Sequence, residues 1–433
     1  MMAEEDKFDV IVVGAGLSGL AAACAIAKEG LEVLVLERGE YPGAKNVTGG
    51  RLYLNPIRDM FADLFAEAPP FERYITNEDV CVMDEDRSVS LSYSGSELRE
   101  QPYSSYSILR SKFDKWLGKQ CERQGAMLVT RSRVDEIIMD NGKVVGVRAG
   151  GEELSSDIVI AADGVLSFIA QQAGLRQPFQ AGNFAVGCKE IIEIPREQLE
   201  ARFNLEEDEG LARLYMGAVT KGKFGGGFLY TNKESISLGL VMGIEGLTGA
   251  LPALEIHQIM ENFKRRPEVA KLIKNGESVE YSAHVIPEGG LKSMGKLYGA
   301  GILVVGDAAG FSMNIGITVR GMEYALASGY YAAQAVIQAK KNEDYSEAGL
   351  AFYKKLLDDS FVMKDFNSFK ESLSILENPR LFTYYPQLLG NIMKDLYNVP
   401  DGPKTKLYPT VRKHLSNKNL MAMGKDAWRL MKL

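Results

Sequence analysis

FDVIVVGAGLSGLAAACAIAKEGLEVLVLE, residues 8–37, decides the fold. Phe8 to Val13 is a short, nearly all-apolar run rich in Val and Ile, the pattern of a central parallel strand covered on both faces. Leu17 to Lys28 is Ala-rich and helix-forming, and Gly30 stands where a glycine ends a helix. Glu32 to Leu36 is a second strand, so the segment reads as one strand–helix–strand unit opening a doubly wound sheet. Gly14-x-Gly16-x-x-Gly19 falls between strand and helix, and Glu37 closes the second strand. Gly14 permits the tight turn, Gly16 lets a pyrophosphate approach the backbone, and Gly19 lets helix and strand pack closely. The helix N-terminus offers unpaired N–H groups and a positive dipole end to phosphates, and Glu37 offers acceptors to ribose hydroxyls.

Working outward, strands are predicted at Met127–Val129, Val144–Arg148 and Asp157–Ala161, with a helix over Ser111–Gln124 between them. From Phe184 to Met242 the texture changes to short β-rich runs separated by glycines, the pattern of an inserted antiparallel sheet. Gly301–Gly306 returns to the buried-strand type, Gly321–Lys340 reads as a long helix, and helices and Pro-punctuated loops lie beyond Tyr345. Asp163-Gly164 in DIVIAADG and Gly306-Asp307 in ILVVGDAAG are two further strand-end turns. Carboxylates there suit ribose or ribityl hydroxyls, with turn or N-cap roles as the alternative. Segments 1–75, 105–170 and 285–345 are expected to build a discontinuous dinucleotide-binding domain. Segments 76–104 and 171–284 would form a β-rich substrate domain, and 346–433 a helical C-terminal region.

The 433 residues are 46% hydrophobic and 25% charged, which excludes disordered, collagen-like and disulfide-stapled classes. No stretch approaches the ~20 apolar residues of a membrane-spanning helix. The N-terminus reads as no signal peptide. Four cysteines at 24, 81, 121 and 188 form no Cys-x-x-Cys pair. They favour a reducing, cytoplasmic setting and predict no metal site or iron–sulfur cluster on this chain alone. The net charge of −7 is uneven: residues 390–433 hold nine basic against three acidic residues, a net +6, leaving −13 on the rest. That balance suits an anionic lipid surface or an acidic partner, not nucleic acid. From Asn419 onward Leu420, Met423, Ala427 and Met431 recur at helical spacing beside Trp428, Lys425, Arg429 and Lys432.

Arg110 in ILRSKFDKWL, with Gly14–Gly19, Asp163-Gly164 and Gly306-Asp307, resembles the glutathione-reductase-like flavoproteins of the hydroxylase and geranylgeranyl-reductase branch. Within that branch, ERGEYPGAKNVTGGRLY (37–53), SYSILRSKFDKWL (105–117), GGGFLYTN (225–232), VEYSAHVIPEGG (279–290), GDAAGFSMNIGITVRGMEYALASG (306–329) and ENPRLFTYYP (377–386) are similar to the Fix-type flavoprotein family. That family is related to electron-transfer-flavoprotein:quinone oxidoreductase.

The resemblance implies FAD as cofactor, electrons received from electron-transfer flavoprotein subunits, and delivery to a quinone at the inner face of the cell membrane, within a flavin-based electron-bifurcation complex. Gly14, Gly16, Gly19, Glu37 and Arg38 would hold the ADP half, Arg110 the pyrophosphate or ribose, and Asp307 the ribityl side, with Asp163, Gly164 and Gly306 also binding the cofactor. Asn314, Ile315 and Gly316 would offer backbone groups near the flavin pyrimidine, and Gly49-Gly50 would lie against the ring. The resemblance also implies a separate ferredoxin-like iron–sulfur subunit, since no cysteine comes after Cys188. His284 is the candidate quinone proton donor, with a structural histidine as the alternative. Two other functions stay open: reduction of isoprenoid double bonds on a lipid, and a flavin-stabilised assembly subunit without turnover.

Overall fold

The computed structural model describes residues 7–46 and 50–433. β1 (Lys7–Val13), α1 (Leu17–Lys28) and β2 (Val33–Leu36) form the opening unit, as the apolar pattern predicts. α2 (Arg110–Arg123) leads to β3 (Met127–Val129), and β4 (Glu152–Ala161), β5 (Ile302–Val304) and α3 (Met322–Asn342) complete the layer. The strands lie side by side in the order β5-β4-β1-β2-β3, and every one of these pairings is parallel. An antiparallel hairpin, Val134–Asp140 and Lys143–Ala149, extends β4 at its N-terminal end.

Strand register brings the turns together. Val13 stands opposite both Leu36 and Ala161, and Ala161 stands opposite Val304. All four strands therefore end on one line. The backbone carries the line one residue further: Gly14 N–H donates to Leu36 O at 2.9 Å, Ala162 N–H to Val13 O at 3.0 Å, and Val305 N–H to Ala161 O at 3.0 Å. The turns that hold Gly14, Glu37, Asp163 and Asp307 consequently leave the same edge of the sheet, where ligands bind in parallel α/β sheets.

α1 lies against α3 with almost no space between them. A Cβ placed on Gly329 would sit 2.1 Å from the Ser18 carbonyl oxygen, and one on Gly19 2.1 Å from the Gly14 oxygen. The Ala-rich stretch of α1 is what allows this approach, and Ala21, Ala22 and Ala23 are buried along it.

The second sheet has nine strands. Its path runs Glu277–Pro287, Phe184–Glu193, Ser235–Gly243, Gly225–Thr231, Glu209–Gly217, Tyr74–Met83, Ser105–Ile108 and Gly50–Tyr53, with Ser88–Tyr93 attached to Tyr74–Met83. Pairings are antiparallel except for Glu209–Gly217 on Tyr74–Met83, which is parallel. Two strands from segments expected in the nucleotide-binding part, Gly50–Tyr53 and Ser105–Ile108, hydrogen-bond into this sheet. Helix Ile256–Arg265 covers one face through Ile259, Met260 and Phe263. Arg73 pins the corner, its fully buried guanidinium donating to the carbonyls of Asn232 (2.7 Å) and Glu209 (3.0 Å) and to the Glu200 carboxylate (2.8 Å). Asn232, the last residue of GGGFLYTN, bridges the Ser235 and Ser237 hydroxyls at 3.0 Å each.

The C-terminal region is helical, as expected, and ends in Asn417–Leu430. That helix is tied down by Tyr385 OH to Asp426 at 2.5 Å, Arg380 to Asp426 at 3.0 Å, and Arg429 to the Ser374 carbonyl at 2.9 Å. Of the apolar residues at helical spacing, Leu420, Ala427 and Met431 are exposed, as is Trp428, while Met423 turns toward the body together with Leu430.

Gly329→Ala tests the helix contact. The new methyl meets backbone, which cannot move aside as a side chain can, so overpacking should cost about 1–3 kcal/mol in urea unfolding of the purified protein.

Candidate functional site

A single cavity of about 1060 Å³ runs along the aligned strand ends and on between the two sheets. Gly14, Gly16, Glu37, Arg38, Gly50, Arg110, Asp163, Gly164, His284 and Asp307 all line it, as do Asn314, Ile315 and Gly316. The structure thus brings together residues about three hundred positions apart. Gly19 and Gly306 do not line the cavity; Gly19 packs beneath the turn, and a Cβ on Gly306 would meet the Ser18 hydroxyl at 2.4 Å. Gly49 lies outside the described residues.

Each charged group has a definite setting. The Glu37 carboxylate accepts from the Ala15 N–H (2.9 Å) and the Gly39 N–H (2.6 Å), which fixes both turns while leaving acceptor capacity toward the cavity. Arg110 makes a two-point ion pair with Asp114 one turn on, at 2.6 and 2.7 Å, and Asn46 donates to the same carboxylate at 2.7 Å. Asp163 accepts the Ile169 N–H through Oδ2 at 3.0 Å, so the turn-capping role expected from the sequence is real. Its other oxygen is buried without a partner, and burial pushes the carboxyl up to about 6. Burial likewise raises Asp307, against the pull of Arg110, His284 and Arg176. His284 is pushed down by burial, with Asp307 opposing and Arg38 and Arg110 adding to the fall.

Four residues here carry no clear mark in the sequence pattern. Asp114 is the most legible of them, from its spacing of four after Arg110 on a helix. Lys189 stands within the apolar run FAVGCKEIIE and is 4% exposed; burial lowers its ammonium to about 8, and its nearest counter-charge is Glu280 at 3.8 Å. Glu288 comes directly after Pro287 in VIPEGG and lines the cavity beside Asn314. Arg176 binds the Asp307 carbonyl at 3.0 Å, a contact across 131 residues with no local signal.

Two parts of the lining differ in kind. His284 lies within electrostatic reach of Arg38 and Arg110, and Lys189 of Arg110, while Met216, Phe224, Leu376, Leu381, Phe382, Leu430 and Leu433 belong to one apolar cluster. Ile317, also in the lining, is 69% exposed.

These residues fit FAD. α1 starts at Gly16 with no side-chain cap, so its first N–H groups face the cavity for an anion to bind. A Cβ on Gly16 or Gly164 would meet nothing within 4 Å, which leaves backbone open to close approach. The orphaned Asp163 oxygen wants a donor such as a hydroxyl. When bound, FAD supplies two-electron oxidation and reduction. Arg38 and Arg110 would offer cations to its pyrophosphate, and Glu37, Asp163 and Asp307 would offer carboxylates to its hydroxyls. Among the described residues no group of three or more His, Cys, Asp or Glu is placed to hold a metal ion.

Comparison with known proteins agrees with this geometry. A family model described as FAD dependent oxidoreductase matches residues 9–102, one described as ETF-QO, ubiquinone-binding matches 184–286, and the ETF-QO/FixC family C-terminal domain matches 373–433. The chain is 44% identical to Protein FixC of Salmonella typhimurium over 422 residues, covering 98% of each chain. It is 42% identical over 426 residues to the probable electron transfer flavoprotein-quinone oxidoreductase YdiS of Escherichia coli, again covering 98% of each. The crystal structure of a geranylgeranyl bacteriochlorophyll reductase-like protein from Thermoplasma acidophilum shares the fold, with a TM-score of 0.72, 22% identity, and 95% and 96% of the two chains covered.

Asp307→Ala should weaken FAD retention by about 1.5–3 kcal/mol, the worth of a hydrogen bond to a charged acceptor. Equilibrium dialysis of the flavin from wild type and variant measures this directly.

Proposed function

The chain belongs to the family of FixC proteins and electron-transfer-flavoprotein:quinone oxidoreductases, and as such is an FAD-dependent oxidoreductase; we propose that it takes electrons from an electron-transfer flavoprotein and delivers them through FAD to a membrane quinone. The observation that carries this reading is a single cavity lined both by the charged group around Arg110 and by the apolar cluster of Leu376, Leu381 and Phe382. On this reading Gly14, Gly16, Glu37 and Arg38 hold the ADP half and Arg110 neutralises the pyrophosphate. Asp163 and Asp307 bind ribityl and ribose hydroxyls, the backbone of Asn314–Gly316 meets the pyrimidine edge, and Gly50 lies beside the ring. The apolar chamber takes the quinone head.

Access for so apolar an acceptor requires contact with lipid. No helix among the described residues is long and apolar enough to cross a membrane. Peripheral attachment at the inner membrane face is the arrangement left by this reading. Met421 (82% exposed), Tyr408 (76%) and Trp428 (66%) supply apolar surface near Lys404, Lys406, Lys413 and Lys425. Each basic residue near an anionic leaflet contributes ~1 kcal/mol at most, so the binding is reversible.

Anaerobic photoreduction of the holoprotein and then addition of a short-chain ubiquinone should reoxidise the flavin within one turnover. In flotation assays the holoprotein should bind anionic vesicles at low salt and release at high salt, and truncation after Ser416 should weaken binding. A reduced flavin indifferent to quinone would overturn the reading.

A small ferredoxin-like subunit is the second partner on this reading, because Cys24, Cys81, Cys121 and Cys188 are free thiols on separate elements. The isolated chain should carry no iron, and the native complex about one cluster per FAD. Iron bound tightly by this chain alone would exclude such a subunit as the source of the cluster.

A further inference from the structure

Beside the large cavity lies a second one of about 80 Å³, and the two share Phe224, Glu288, Ser312, Asn314 and Leu376 in their walls. A buried water needs roughly 10–15 Å³ and polar partners, so the smaller space has room for a short file of water. Among apolar neighbours such as Phe366 and Phe369, its lining holds the half-buried Ser312 and Ser372 and the exposed Ser374, Lys292, Lys370 and Glu377, so polar groups are present from the interior to solvent. Glu288 stands between the two spaces. Its position is set by the backbone, since its N–H and that of Gly289 both donate to the Asn183 carbonyl, at 2.9 and 3.0 Å.

We infer that Glu288 gives a proton to the quinone at the apolar end of the large cavity and is reprotonated from solvent through the small one. This rests on the quinone-reductase reading above and names the proton source that the reading requires. Reduction of a quinone to a quinol takes two electrons and two protons. Both electrons and one proton arrive from an anionic reduced flavin, so the second proton has to come from the protein. The O–H bond of the Glu288 carboxyl breaks, its proton ends on the second quinone oxygen, and the carboxylate left behind recovers a proton from water in the small cavity.

The other titratable groups of the large cavity are placed differently. His284 and Lys189 both sit beside Arg110, at the cation-rich side. Glu288 has Phe224 and Leu376 for neighbours, where an apolar acceptor rests. Its chemistry matches the task. Burial pushes the carboxyl up to about 7; hydrogen bonding from Asn314 opposes the rise and Glu377 adds to it. Glu377 is itself raised by burial and by Glu245, with Lys292 opposing. Lys370 also faces the small cavity, and Asp307, His284 and Arg320 line the large one. Near neutrality Glu288 therefore exists in both forms, as a group that donates and recovers a proton each turnover must.

Three holoproteins test this: wild type, Glu288→Gln and Glu377→Gln, each checked for equal FAD content. First, the absorption spectrum of the oxidised flavin is titrated with pH without donor or acceptor. Wild type should show a small difference spectrum with its midpoint near 7. E288Q should lose it, and E377Q should move it to lower pH, because a negative neighbour has been removed. Second, flavin reoxidation by a short-chain ubiquinone is monitored by anaerobic stopped flow. The wild-type rate should fall as pH rises through the same midpoint. E288Q should be roughly 10²-fold slower with no such break, as for loss of a general acid. E377Q should retain the break at its shifted position. Wild-type flavin that quinone never reoxidises defeats the quinone reading itself. A normal wild-type reaction with E288Q unchanged in rate and pH profile, or E377Q unmoved in midpoint, overturns the proton route alone.

Discussion

The register of five parallel strands is the constraint on which the site depends. Hydrogen bonding between β1, β2, β4 and β5 sets Val13, Leu36, Ala161 and Val304 in one row. A slip of one residue in any pairing would turn that strand's side chains to the opposite face and carry its turn out of line. Because these strands are buried on both faces, such a slip is not compensated by solvent, and the row is rigid. Gly14 with its φ of 105°, the Glu37 carboxylate that braces two turns, and the orphaned Asp163 oxygen are then held relative to one another without direct contact between all of them. The approach of α1 to α3 over Ser18 and Gly329 belongs to the same arrangement, since it fixes where the helix N-terminus points.

The second sheet solves a different problem. A dinucleotide edge open to water would leave its carboxylates solvated and its cations screened. The antiparallel sheet and the C-terminal helices enclose that edge, and the consequence appears in the titrating groups. Asp163, Asp307 and Glu288 are all raised by burial, and Lys189 and His284 are lowered. Enclosure thus disfavours every charge at once. What relieves it is pairing, as in Arg110 with Asp114, or the polar groups that a bound flavin brings. A flavin that satisfies desolvated groups stabilises the folded chain as it binds, so FAD binding and stability should be coupled.

Much of this is legible in the sequence, and the reason is local. The β1–α1–β2 unit, the turns at Asp163 and Asp307 and the long α3 each rest on apolar patterning within a few residues. Near-complete runs such as FDVIVV have few alternatives. The β-rich insertion is legible in kind, from alternating short runs, but not in topology. That Gly50–Tyr53 and Ser105–Ile108 join its edge depends on pairings across the chain, which no local pattern encodes. Lys189 and Glu288 are hidden for the same reason: a Lys-Glu pair in a strand and a Glu before two glycines carry no functional mark until the fold shows that Lys189 and Glu288 face a cavity. In the last helix, spacing sets Leu420, Met423, Ala427 and Met431 in one series, but of these only Met423 faces the body, alongside Leu430, and the others are exposed. A short amphipathic pattern with apolar residues on two sides does not say which side will dock.

That last helix also sets the two ends of the site apart mechanically. The dinucleotide end is built on strands with fully buried side chains, such as Val12, Val35 and Ile160 at 0% exposure. The apolar end is closed partly by Leu430, which ends helix Asn417–Leu430, and by Leu433 beyond it. That helix buries none of its described residues completely. Its polar ties include the Asp426 pair with Tyr385 and Arg380 and two surface contacts, Arg429 to Ser374 and Lys432 to Glu371, while Met423 and Leu430 pack half-buried on the body. Surface ion pairs are worth about 0–1 kcal/mol each, against ~1.5–3 kcal/mol for burying one large aliphatic side chain. The wall at the apolar end is therefore the cheaper one to displace. An acceptor with a long apolar tail would find the least resistance on the side where the exposed Trp428, Met421 and Met431 already offer apolar surface.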